Sequence, residues 1–383
     1  MAIGENYRVE SKNLIPKRVL HVIDHFGYGG AQIIVKNIIE NINIHRFKLT
    51  VCILRKVDKP ISLDNIEMDC HVINLDCNQY DFSTVFKIVQ ICKRREIDLV
   101  HAHLQKSIVS SLLASYFCKS KIIIHEHGGI FKKKSSGWLY PFCLRILKRR
   151  PYRVFVNSKA SMKVFVERTG FQKNKISVVY NFIDEDKFIP EKFSYETSRK
   201  LLNLSQKTKV IGFVGRLDYC KGVDVLLNAT VLLKKHFNDF KVVIVGDGKE
   251  RQSLEAMTIA LNITKHVVFL GMKENPAEFM AGFDLAVIPS RREAFGVTVL
   301  EFMRMSVPVV VNPIGGIVEL VENGKTGIFL ETLLPENLAL HITCLINDMT
   351  LRKSIIERAK QYSFKFSRKE KIIQLENEYA KIT

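Results

Sequence analysis

At 383 residues the chain is too long for one ordinary core, and roughly 150 residues per domain predicts two. Hydrophobic residues at 47% and charged residues at 25% are globular proportions, which exclude a disordered or fibrous polypeptide. The formal charge of +19 sits mostly in the first half, with 30 basic against 14 acidic side chains over 1–183 and 28 against 25 over 184–383, so one half is built to meet something anionic.

Taken from the start, residues 1–12 carry charge of both signs and no apolar run, so no secretory leader is expected. Short β-branched runs then alternate with stretches whose apolar residues recur every three or four positions. Strands are predicted at 18–23, 48–54, 70–75, 98–103, 121–126, 153–157 and 176–180, and helices at 30–42, 82–95, 106–117 and 159–168. Segment 181–190 breaks the pattern, and 191–208 is polar and strand-free, the expected linker. The second half repeats the grammar, with strands at 209–214, 241–245, 267–270, 285–289, 308–311 and 327–330. Helices are predicted between them at 221–236, 249–261, 275–281, 297–306, 317–321 and 335–347, with two more closing the chain at 350–362 and 367–381. Continuous apolar strands between helices predict parallel sheets covered on both faces. The fold class is therefore α/β, two doubly wound Rossmann-like domains at 1–190 and 209–365, with 366–383 as a final helix. In such sheets ligands bind at the carboxyl ends of strands, and two facing domains make a cleft.

No apolar run is long enough to span a bilayer, since the longest uncharged stretch, 305–318, contains two prolines. The eight cysteines show no CxxC or Cys/His ligand spacing, so free thiols in a reducing cytosol are expected and no metal site.

Three segments carry candidate chemistry. The first is the turn Gly27–Gln32 between strand and helix, where glycine lets backbone N–H groups approach phosphate. A dinucleotide fingerprint would place glycine at Gln32 and an acid at Arg55, which argues against NAD. The second pairs Arg216, at a strand end, with Lys221 opening the next helix; a planar fork and a point charge suit a diphosphate. The third runs through Glu293 and Glu301, eight positions apart, with Glu293 before a helix and Glu301 within it. One carboxylate suits sugar hydroxyls, the other a ribose diol, and the N–H groups of Phe295, Gly296 and Val297 suit phosphate.

These segments together resemble glycosyltransferase family 4, retaining enzymes of the GT-B fold that use nucleotide-activated sugars. The resemblance rests on the Gly29–Gly30 turn, HEHG at 125–128, NFID at 181–184, GRLDYCKG at 215–222, VGDG at 245–248, the Glu293/Glu301 pair, the Gly315–Gly316 doublet and ENGKTG at 322–327. It implies that Arg216 and Lys221 bind the donor diphosphate and stabilise its departure without a metal, so that no cofactor is needed. Glu293 would contact the transferred sugar and Glu301 the ribose, with Met272 near the base. Gly29 and Gly30 would cap the phosphates. His127 matches the family's cleft histidine, with His125 two residues earlier as the other candidate, and His103 is a secondary or acceptor-side position. The segment 366–381 resembles the family helix that crosses back onto the first domain.

The remaining signal is basic. From 127 to 166 there are ten Lys/Arg and no acidic residue, interleaved with aromatics. Lys132, Lys133, Lys134, Trp138, Arg145, Lys148, Arg149 and Arg150 make a patch suited to an anionic bilayer surface. A nucleic-acid partner is not expected, because nothing else in the chain resembles a reader of bases. The expected protein is a cytoplasmic glycosyltransferase held peripherally at the inner face of the membrane. It would move a hexose from a UDP- or GDP-sugar to a lipid-linked glycan in lipopolysaccharide, O-antigen or capsule assembly. The alternatives are a soluble enzyme acting on a small metabolite or storage glucan, and a nucleotide-sugar-binding protein without catalysis.

Overall fold

A computed structural model describes residues 15–27, 29–58, 60–63, 70–78, 81–131 and 139–382. The chain forms two compact units, one of residues 1–125, 143–154 and 376–383, the other of 126–142 and 155–375. All thirteen predicted strands are present; the central strands of each sheet, such as β1, β4, β8 and β11, are apolar runs buried on both faces, and the outer strands β3, β10 and β13 are only partly covered.

The first sheet has the order β3-β2-β1-β4-β5-β6-β7, from β1 (Lys17–Ile23), β2 (Phe47–Ile53), β3 (Cys70–Asn74), β4 (Leu99–His103), β5 (Lys121–Glu126), β6 (Arg153–Val156) and β7 (Ile176–Val178). The second has the order β10-β9-β8-β11-β12-β13, from β8 (Lys209–Val214), β9 (Phe240–Val245), β10 (Val267–Gly271), β11 (Leu285–Ile288), β12 (Val309–Val311) and β13 (Ile328–Phe329). Neighbouring strands run parallel in both, as in β1 with β4 and β8 with β11. Each sheet is doubly wound, and its order reverses between β1 and β4 or between β8 and β11, the switch points where such sheets take ligands.

Two helices were not anticipated. The polar segment read as a linker, 191–208, contains helix Tyr195–Leu201, capped by Ser194 accepting from Thr197 N. Its Arg199 is fully buried and donates to Asp284 Oδ2 at 2.7 Å and to the Thr208 carbonyl at 2.5 Å. A charged residue facing inward looks like surface until its partner, 85 positions away, is known. The second is helix Leu139–Leu147, hidden in the basic stretch.

The final helix, Arg368–Ala380, ends on the first unit. There Glu376 accepts from Asn43 N at 2.7 Å and from Arg46 at 3.0 Å. The hydroxyl of buried Tyr379 lies 2.5 Å from His101 Nδ1 and 3.5 Å from His21 Nε2, and His21 Nδ1 lies 3.1 Å from His103 Nε2. All eight cysteines are free thiols. No described helix is long and apolar enough to cross a membrane.

Candidate active site

In the second unit, β8 and β11 deliver two loops to the switch point. After β8 the chain turns through Gly215–Lys221, where Asp218 accepts from Arg216 Nε at 2.5 Å and from Cys220 N at 3.2 Å. Arg216 is exposed, its side chain 69% accessible, and its ion pair with Asp218 holds it at the loop surface. Lys221 is largely covered, and its Nζ lies 2.5 Å from Glu293 Oε2, on the loop after β11. The two sequence motifs, 72 positions apart, are thus joined by one ion pair. Gly222 sits at φ +71° with its missing Cβ 2.0 Å from the Pro289 carbonyl oxygen, so only glycine lets the two loops close.

The loop carrying Glu293 is moulded onto the Gly315–Gly316 doublet. A Cβ on Gly315, whose φ is +57°, would stand 1.7 Å from the Glu293 carbonyl oxygen, and one on Gly316 would stand 2.5 Å from Phe295 Cα. Gly316 N in turn donates to the Glu293 carbonyl at 3.3 Å. Past Gly296, the helix Val297–Arg304 begins, so the amides of Phe295, Gly296 and Val297 stand at a helix start. Glu301, one turn in, is half-buried. Desolvation, with the negative charge of Asp184 adding to it, pushes its pKa up to about 7. Met272 stands exposed just after β10.

A further set of residues in this unit supports the loop, and its role is not visible in the sequence. Ser158 Oγ donates to the Ala294 carbonyl at 2.7 Å while accepting from Ser161 N at 2.9 Å as the cap of helix Lys159–Thr169. Glu319, three residues after the glycine doublet, accepts from Lys159 N at 3.0 Å, Ala160 N at 2.9 Å and the Tyr180 hydroxyl at 3.0 Å. The Asn-Ser-Lys-Ala-Ser run at 157–161 carries a helix-cap signal, but its second role needs the fold.

The two histidine candidates separate. His125 is the fifth residue of β5, fully buried and paired in register with His103 of β4 in the first unit. His127 lies beyond β5 in a loop of the second unit, half-buried, and burial pushes its pKa down to about 4, so it is neutral at pH 7. That loop is built on Glu126, a buried carboxylate accepting from Gly128 N at 2.8 Å, Ile130 N at 3.1 Å and the Tyr140 hydroxyl at 2.7 Å. Gly29 and Gly30 lie in the first unit, where Gly30 opens helix Gly30–Asn41 and the Gln32 side chain folds back onto Gly29.

Of the basic patch, Arg145, Lys148 and Arg149 are exposed. Arg150 is half-buried instead, with Nε donating to Ser115 Oγ at 2.9 Å and its guanidinium 4.0 Å over the Tyr116 ring. Lys132, Lys133, Lys134 and Trp138 lie outside the described residues.

Residues 28–187 match the family model described as Glycosyltransferase Family 4, and residues 194–362 match Glycosyl transferases group 1. The chain belongs to glycosyltransferase family 4. It is a glycosyltransferase of the GT-B fold, with two parallel-sheet α/β domains. It is 28% identical over 302 residues to N-acetyl-alpha-D-glucosaminyl L-malate synthase of Bacillus anthracis, covering 77% of each chain. It is 25% identical over 350 residues to a Campylobacter jejuni protein, covering 87% of this chain and 91% of that one. That relative is named N-acetylgalactosamine-N,N'-diacetylbacillosaminyl-diphospho-undecaprenol 4-alpha-N-acetylgalactosaminyltransferase. Among solved structures, Anabaena HepE in complex with UDP and glucose superposes with a TM-score of 0.84 at 24% identity, over 95% of this chain and all of that one.

Proposed function

We propose that this family 4 glycosyltransferase moves a hexose from a UDP- or GDP-sugar to a hydroxyl of a lipid-linked glycan in cell-envelope polysaccharide assembly, at the cytoplasmic face of the membrane. The observation that carries the reading is the Lys221–Glu293 pair at the switch point of the second sheet, beside exposed Arg216 and the helix start at Val297. Breaking a sugar–phosphate bond puts positive charge on the anomeric carbon and negative charge on the departing diphosphate. Arg216, Lys221 and the amides at 295–297 meet that negative charge, and preorganised electrostatics of this kind usually supply most of an enzyme's rate enhancement. Glu293, next to Lys221, holds hydroxyls of the transferred sugar. Glu301 grips the ribose diol, and Met272 borders the base.

His127, neutral at pH 7, takes or gives a hydrogen bond near the reacting centre rather than a charge. Gly29 and Gly30 supply amide donors at an open helix start. With cations and amides serving the diphosphate, the reaction is read as independent of metal. Attack by the acceptor hydroxyl on the face the diphosphate leaves gives retention without a protein nucleophile. UDP bound to HepE supports the donor class, and the diphospho-undecaprenol named in the Campylobacter relative supports a lipid-linked acceptor.

A thermal-shift screen across UDP- and GDP-sugars tests the donor: the true donor at 100 times its dissociation constant stabilises by about 2.7 kcal/mol. Anomeric proton couplings of the product test retention, and full turnover in EDTA tests metal independence. A second reading, a soluble enzyme for a small acceptor, is favoured by the malate synthase relative. It predicts no binding to anionic vesicles.

A further inference from the structure

Arg291 stands on the loop after β11, two residues before Glu293, and the bonds it makes run across to the segment 219–224 that carries Lys221. Its backbone N–H donates to the Cys220 carbonyl at 2.7 Å, and Nη1 donates to the Tyr219 carbonyl at 2.9 Å. The guanidinium then closes a two-toothed pair with Asp224, Nη1 to Oδ1 at 2.7 Å and Nη2 to Oδ2 at 2.6 Å. Its central carbon lies 4.2 Å from the centre of the Tyr219 ring. Asp224 belongs to the first turn of helix Val223–Leu233, so one side chain grips the Lys221 segment both before and after the lysine. A planar fork on a carboxylate fixes orientation as well as distance, which a lysine in its place could not do.

The need for such a clamp follows from what a donor does to the Lys221–Glu293 pair. In the free protein that ion pair joins the two loops. A bound donor draws Lys221 to its diphosphate and Glu293 to its sugar hydroxyls, so each loosens its hold on the other when their separation begins to matter. The fork of Arg291 is already filled by Asp224 and the Tyr219 carbonyl, and it stays filled when the donor arrives. We propose that Arg291 is a positioning residue, which through Asp224 and the Tyr219 carbonyl keeps the Lys221 loop in register with Glu293 while the donor occupies that pair. This rests on the assignment of Lys221 and Glu293 to the donor. A reacting group misplaced by about 1 Å can lose about 10²-fold in rate, so the loss on removing the clamp falls on turnover rather than on binding.

The test uses the full chain and the UDP- or GDP-sugar that gives the largest thermal shift. Release of nucleoside diphosphate into water reads turnover, and calorimetry reads the donor Kd. Arg291→Gln is expected to lower saturated turnover about tenfold while the donor Kd moves less than threefold. Arg291→Lys, which keeps the charge and loses the fork, should lose about threefold, and it carries the comparison if Arg291→Gln fails to fold. Asp224→Asn should match Arg291→Gln, and the double variant should lose no more than the worse single, because both remove one clamp. Hydrogen exchange over 219–224 supplies the readout that a general packing role would not give. The variants should match wild type in the free protein and exchange at least fivefold faster than it in the donor complex. Faster exchange in the free protein as well, or a donor Kd that weakens in step with turnover, overturns the positioning role. So does wild-type turnover by Arg291→Gln when Lys221→Ala, run beside it, is crippled. Wild-type turnover by Lys221→Ala overturns the donor assignment, and this inference with it.

Discussion

Ser158 Oγ donates to the Ala294 carbonyl, so the residue that caps one helix also holds the backbone next to Glu293. Small displacements of a reacting group are expensive, about 10²-fold per ångström at worst. Ser158→Ala is expected to lower kcat about tenfold and to shift the donor Kd, measured by calorimetry, less than threefold. Loss of the cap costs about 1 kcal/mol in unfolding experiments. Ser158→Thr, which keeps the hydroxyl, should restore most of the turnover. Equal damage from both variants would assign the effect to packing.

Lys221 and Glu293 neutralise each other in the free protein, at 23% and 17% side-chain exposure. Lys221→Ala and Glu293→Ala are each expected to cut kcat/KM by about 10²–10³, the range for removing one preorganised electrostatic group. Their effects should not multiply in the double variant, because the two charges share one site. Steady-state kinetics on all three proteins decides it, and near-normal transfer by both single variants would sink the assignment.

Glu301 titrates near neutrality, which couples donor binding to protons. If the ribose diol donates to the carboxylate, nucleotide binding releases a proton around pH 7. Calorimetry in buffers of different ionisation enthalpy reads this directly. For stability the sign is the reverse of an ordinary salt-bridged acid: the raised carboxyl costs stability above pH 7, and that cost is gone below its unfolded value of about 4.3. Glu301→Gln should therefore be more stable than wild type at pH 8, equal to it near pH 4, and at least tenfold weaker in nucleotide affinity.

The buried histidines set an acid limit. Burial pushes His21 down to about 3. Its contribution is complete above the unfolded value of about 6.5 and is lost as pH falls toward 3, because the unfolded imidazole takes the proton first. The rings of His101, His103 and Tyr379 face it. Melting temperatures between pH 7.5 and 5 should fall more steeply for wild type than for His21→Gln. Parallel curves would show that His21 protonates without unfolding the chain.

Arg199 and Asp284 form a buried pair, and Asp284 also accepts from Val210 N at 2.7 Å. Asp284→Ala leaves the guanidinium uncompensated and is expected to cost about 3–5 kcal/mol. Urea unfolding measures it, and the folded fraction should keep a wild-type donor KM.

The sheets were legible because most strands are short runs rich in Val, Ile and Leu, and strand–helix alternation leaves little choice of fold. The loops after β8 and β11 were legible because cations, acids and glycines stand in recognisable order there. Arg199, Ser158 and Glu319 were not, since each acts through a partner far along the chain that hydrophobic periodicity does not encode. Helix Leu139–Leu147 was hidden for another reason: its apolar residues stand inside a long basic stretch that reads as a surface patch, and Pro141 falls early in it.

The closeness of the Gly315–Gly316 backbone to that of Glu293 bears on how donor preference in this enzyme is altered by design. Libraries that diversify 293–297 while freezing 315–316 will mostly sample misshapen loops, since one segment is the other's mould. Randomising both windows together, with the two glycines fixed, keeps the template and spends diversity on side chains that touch substrate.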